Sequence, residues 1–197
     1  MPIPRIGEHA RPFRLPTAQG GDIGLDDYKG RRPLVLWFTK GMACPFCRQQ
    51  MSQLARGYDR FRELGAEVLE VTNSTPARAQ FYAKQFKLPF PYLCDPDRRV
   101  REEWGLEKRA RGPMYYAHMF VAGMKMPAIP NDFGHFKPAP AEMLPTMADE
   151  DMGVFVLDRA GVVRYAFATA YMNAKGVNAV PGPDELAREL ERCAAAA

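Results

Sequence analysis

Five consecutive apolar residues, Leu34-Val35-Leu36-Trp37-Phe38, run through Gly41 into the tetrad Cys44-Pro45-Phe46-Cys47, and this stretch constrains the chain more than any other. An unbroken apolar run of this length suits a central strand covered on both faces. Gly41 supplies the break, and Pro45 fits the first position of a helix, where its fixed φ is already helical and its missing N–H costs nothing. Cys44 is then the expected N-cap. Two cysteines three apart at a helix start lie on one side of adjacent turns, within the Cα separation of about 4.4 to 6.8 Å that a disulfide needs. A thiolate there meets the positive end of the helix dipole, with Lys40 and Arg48 as nearby cations. A thiol of pKa about 8.5 is only a few per cent thiolate at pH 7, whereas one near 6 is roughly nine-tenths thiolate. The tetrad also reads as half a zinc site or as inert core cysteines. A zinc site wants two further ligands at short spacing, but the next cysteine is Cys94 and His9, His118 and His135 are scattered. No metal or cofactor is implied.

At 197 residues the chain suits one domain, 1–197, long enough to bury a proper core. The net charge of +4 is small and its Lys and Arg are interleaved with Asp and Glu, which argues against a nucleic-acid partner. The first ten residues hold no apolar signal core and no run of eighteen apolar residues occurs, so no membrane association is expected. Four cysteines are too few for a disulfide scaffold. The expected compartment is the cytoplasm, where a C-x-x-C serves catalysis more than structure.

Pro12-Phe13-Arg14-Leu15 and Asp22-Ile23-Gly24-Leu25 flank Gly20-Gly21 as an N-terminal β-hairpin. After the tetrad, Cys47, Met51, Leu54, Tyr58 and Phe61 recur at helical spacing up to Gly65, placing Cys47 on the apolar stripe and Cys44 at its exposed edge. Ala66–Val71 reads as a second strand, and Pro76 opens a helix carrying Phe81 and Phe86. Phe90–Cys94 reads as a proline-weakened edge strand, and Asp95-Pro96 opens a helix that Gly105 stops. About 107–150 the rhythm breaks: six prolines (113, 127, 130, 138, 140, 145) and six of the eleven methionines predict an irregular insertion. Its adaptable thioethers suit an apolar substrate pocket, the contact face of a homodimer, or simple core filling. Val154–Leu157 and Val162–Tyr165 flank Asp158–Gly161 as a C-terminal β-hairpin, and a last helix from Pro183 buries Leu186, Leu190 and Cys193.

Taken together, Cys94-Asp95-Pro96-Asp97, which is similar to an "SDPD" turn, Phe155 to Gly161, which is similar to an "FVIDxxG" hairpin, and the tetrad resemble the peroxiredoxins of the alkyl hydroperoxide reductase and thiol-specific antioxidant (AhpC/TSA) superfamily. The tetrad and its approach look most like a subgroup with an "RGxWCPxC" motif. The resemblance implies an α/β thioredoxin-like fold, with a central mixed β-sheet flanked by helices. It further implies a thiol-dependent peroxidase that reduces hydrogen peroxide or organic hydroperoxides through Cys44 and Cys47, supported by Thr39, Lys40, Pro45 and Arg48. An external dithiol (thioredoxin-, glutaredoxin- or glutathione-like) would reset it. Superposed on the family's P-x-x-x-T-x-x-C, Cys47 takes the peroxide-attacking position, Cys44 replaces the threonine and Lys40 the proline. Met152 falls where the family carries an arginine. Two other readings stand beside this one: a thioredoxin- or glutaredoxin-like disulfide oxidoreductase with Cys44 as nucleophile, and a non-enzymatic redox-sensing module. For a peroxidase the superposition nominates Cys47 while helical periodicity favours Cys44; the superposition uses the longer stretch of sequence, so Cys47 is the expected attacking sulfur.

Overall fold

A computed structural model describes residues 1–124, 131–134, 136–170, 172–173 and 176–195. The chain runs through β1 (Arg14–Pro16), β2 (Asp22–Gly24), β3 (Leu34–Thr39), α1 (Pro45–Glu63), β4 (Glu67–Thr72), α2 (Pro76–Phe86), β5 (Tyr92–Cys94) and α3 (Arg99–Glu103). It continues with β6 (Lys108–Arg109), α4 (Pro113–Met124), α5 (Pro140–Thr146), β7 (Asp149–Glu150), β8 (Met152–Leu157), β9 (Val163–Thr169), β10 (Met172–Asn173), β11 (Gly176–Val177) and α6 (Pro183–Ala195).

The central sheet has the order β5-β4-β3-β8-β9, with β4 and β5 parallel to their neighbours and β8 and β9 antiparallel. All six residues of β3 are buried. Their alternation sorts them into two cores: Leu34, Leu36 and Phe38 pack with Phe13, Trp104 and Phe155 on one face, while Val35 and Trp37 pack with Leu54 and Phe61 of α1 and Leu186 and Leu190 of α6 on the other. Each such side chain contributes about 1.5–3 kcal/mol by leaving water. A side chain at Gly57 would strike Pro183 Cβ at 2.6 Å, so glycine there lets α6 lie close on α1. The N-terminal hairpin forms as expected between β1 and β2, and Gly65 ends α1 at φ +75°.

Two local readings need correction. The segment 107–150 is not mostly irregular. It contains the twelve-residue α4, because Pro113 sits at the helix start and the next proline in the sequence is Pro127; the pairing of β6 with β7 closes its base. The helix expected at Asp95-Pro96 begins at Arg99, after Arg98 in left-handed conformation, and the Asp95 carboxylate accepts from the Val100 and Arg101 amides. On α2, Phe86 is buried while Phe81 is 41% exposed. Met126, Pro127, Pro130 and His135 lie outside the described residues.

Candidate active site

The loop between β3 and α1 is held from three directions. The Thr39 hydroxyl donates to Glu70 Oε1 (2.8 Å) and accepts from the Gly41 amide (2.9 Å). The Met42 amide donates to the Tyr92 hydroxyl (3.2 Å), and Arg48 Nη1 donates to the Met42 carbonyl (2.8 Å). Gly41 has φ +84°, and a Cβ there would drive into the Thr72 hydroxyl, so only glycine makes this turn.

Cys44 is the N-cap of α1 with Pro45 at the first helical position, as the spacing predicts, and Cys44 Sγ accepts from the Cys47 amide at 3.5 Å. The exposure expected of Cys44 is not found: it is 3% exposed and Cys47 0%. Distant segments contribute: Tyr115 of α4 and Val180, together with the neighbouring Phe46, pack against the cluster of Cys44, Cys47 and Met152. Burial, reinforced by the hydrogen bond and charge of Cys44, pushes the Cys47 thiol well above its usual value, while the Lys40 ammonium and backbone amide pull the other way. Lys40 is itself buried, with Nζ donating to the Ala148 carbonyl (2.5 Å). Burial lowers its pKa against the charges of Cys44 and Cys47. Arg48 Nη2 donates to the Phe136 carbonyl (3.2 Å), and its guanidinium is also pushed down by burial and raised most by Cys44 among its charged neighbours.

Thr39, Lys40, Cys44, Pro45, Cys47 and Arg48 thus share one neighbourhood, Pro45 as an exposed backbone device. Cys94 packs elsewhere, with Met51 and Tyr92, and burial pushes its thiol to about 11; Cys193 packs on α6. Sequence reasoning missed Arg101, 1% exposed, which donates from Nη1 to the Asp151 carbonyl (2.8 Å) and from Nη2 to the Thr39 carbonyl and is within electrostatic reach of Cys47. Nothing in the run Arg98 to Glu103 distinguishes Arg101 from its exposed neighbours.

Sequence reasoning also missed Glu70. Burial, opposed by the Thr39 hydroxyl, raises its carboxyl to about 8. The folded protein therefore holds a proton that the unfolded chain releases near pH 4.5. The associated stability is complete below about pH 4.5 and is lost as pH rises through about 8. Glu70→Gln is expected to be at least as stable as the parent at pH 8.5, by up to a few kcal/mol, with that advantage vanishing by pH 4 in urea titrations.

A helix carrying a C-x-x-C at its N-terminus, directly after the central strand of a mixed sheet, defines the class of thioredoxin-fold thiol proteins. Within that class, this chain belongs to the AhpC/TSA family, whose model matches residues 6–166. It is 33% identical over 100 residues to the chloroplastic peroxiredoxin Q of Sedum lineare, covering 51% of this chain and 53% of that protein. It is 26% identical over 171 residues to that of Oryza sativa subsp. japonica, covering 87% and 62%. The chain spans about half the length of the first curated relatives it matches. Among solved structures, a cysteine-to-serine variant of PrxQ from Xylella fastidiosa superposes with a TM-score of 0.68 at 15% identity, covering 98% of this chain and 99% of that one. Peroxidoxin BcpB from Mycobacterium tuberculosis superposes with 0.62 at 16%, covering 98% and 97%. These superpositions support the thioredoxin-like fold expected from the sequence.

Proposed function

We propose that the protein is a thiol-dependent peroxidase that works through Cys44 and Cys47. The observation that carries this reading is the contact of the Cys47 amide with Cys44 Sγ at the start of α1, beside Lys40 and Arg48, in a chain of the AhpC/TSA family. The cap N–H and the positive end of the α1 dipole favour charge on Cys44, with Lys40 and Arg48 beside it. Complete burial and an upward-pushed thiol weigh against Cys47, the position that family superposition nominates. Cys44 is therefore the attacking sulfur in this proposal, and Cys47 the resolving one. The Cys44 thiolate attacks one peroxide oxygen; the O–O bond breaks, and the leaving oxygen takes up a proton and departs as water or alcohol. Cys44 is left as a sulfenic acid. The Cys47 thiol displaces water from it, forming the disulfide, and an external dithiol returns two electrons by exchange.

One equivalent of hydrogen peroxide, followed by non-reducing peptide mapping, is expected to give an intrachain Cys44–Cys47 bridge. A dominant bridge to Cys94, or between chains, contradicts the assignment. Because Tyr115 packs against the cluster that holds the pair, Tyr115→Ala is expected to raise the alkylation rate of Cys44 by iodoacetamide about three-fold or more in the folded protein. An unchanged rate would show that access runs by another side.

A further inference from the structure

A cleft of about 330 Å³ opens beside the cysteine loop, with Lys40 and Ala43 on its inner wall. The sequence suggests an apolar pocket built by the methionines of the insertion; this cleft sets charged and polar side chains beside apolar ones, and no methionine among the described residues lines it. Met114 is 81% exposed. Four cations, Lys40, Arg78, Arg98 and Lys108, face a single acid, Glu142. Glu142 is already engaged by Arg78 Nη2 (2.6 Å) and by the Tyr82 hydroxyl (3.0 Å). Arg98 pairs with the buried Glu150, yet its Nη2 is buried with no hydrogen-bond partner among the described residues. Lys108 is exposed and makes no ion pair among them. Ser74 and Thr75 bring the start of α2 to the same cleft, and Thr75 makes no side-chain cap bond.

A cleft of this size holds a small molecule. Its lining carries more cations than acids, which calls for an anion, and the guanidinium of a lining arginine matches the planar carboxylate in particular. We propose that this cleft is a carboxylate-binding site that brings a charged reactant to the Cys44–Cys47 pair. The inference rests on the thiol chemistry proposed above and adds to it a preference for carboxylate-bearing reactants. The carboxylate has two sources, an organic hydroperoxide or a small thiol reductant such as glutathione, and the two half-reactions separate them.

In the first arm, the reduced protein is mixed in stopped flow with hydrogen peroxide, cumene hydroperoxide and a ring-carboxylated cumene hydroperoxide. In the second, the oxidised protein is mixed with glutathione and with its diethyl ester. A charge-assisted contact predicts that the carboxylate reacts about ten-fold faster than its neutral counterpart at low ionic strength in one arm. That ratio should shrink in 0.5 M salt and fall towards one in Lys108→Glu. Preference in the first arm identifies the peroxide as the carrier, and in the second the reductant. Equal rates within both arms overturn the site but leave the peroxidase reading standing, provided the peroxides react. Inertness to all three peroxides overturns that reading instead, and the glutathione arm still decides the cleft.

Discussion

Cys44→Ser is expected to abolish peroxide consumption, by a factor on the order of 10³ or more, because serine at this N-cap offers no nucleophile ionised near neutral pH. Cys47→Ser has a different expected signature. The amide that caps Cys44 belongs to the backbone and survives the substitution, so Cys44 should still react once with peroxide. With no resolving thiol it stops as a sulfenic acid, which dimedone traps and mass spectrometry locates. The sign follows from burial and the cap: each unit by which Cys47 is raised costs about 1.4 kcal/mol of thiolate stability there, whereas Cys44 holds the N-cap and accepts the Cys47 amide. A sulfenic acid that forms readily in Cys44→Ser but not in Cys47→Ser would move the attack to Cys47.

The largest stability effect is expected beneath the site. Arg101 is enclosed by the ring of Phe38, 5.9 Å from its guanidinium, the carbonyls of Thr39 and Asp151, and Glu150 at 3.8 Å. Burial pushes its pKa down to about 10, which still leaves it charged at neutral pH. Arg101→Met would leave the buried Glu150 with one cation fewer and two carbonyls without their donor, at a cost of about 3–5 kcal/mol. Urea unfolding measures this loss. Adding Glu150→Gln should recover part of it, because the uncompensated charge is then gone; a double variant as unstable as the sum of the two single variants would show that the two groups do not interact.

What was legible in the sequence was what neighbouring residues decide together. Strand, turn, N-cap, proline and cysteine pair follow one another without interruption from Leu34 to Cys47, so a single periodicity argument places them. The hairpin from Val154 to Tyr165 was readable for the same reason. Arg101 and Glu70 were not, because a charged residue reads as a solvated one until the sheet brings Thr39 to both of them. The burial of Cys44 was equally hidden: Tyr115 and Val180 are 71 and 136 residues further along, and no local pattern announces that they will cover it. The insertion was misread by counting prolines without their positions. Pro113 opens a helix instead of breaking one.

The central claim is that the pair reduces peroxides rather than protein disulfides. Stopped-flow mixing of the reduced protein with hydrogen peroxide and with cumene hydroperoxide, run beside an insulin reduction assay, tests it most directly. The account predicts rapid, stoichiometric loss of the two thiols with at least one peroxide and feeble insulin reduction; vigorous insulin reduction with sluggish reaction towards both peroxides would contradict it.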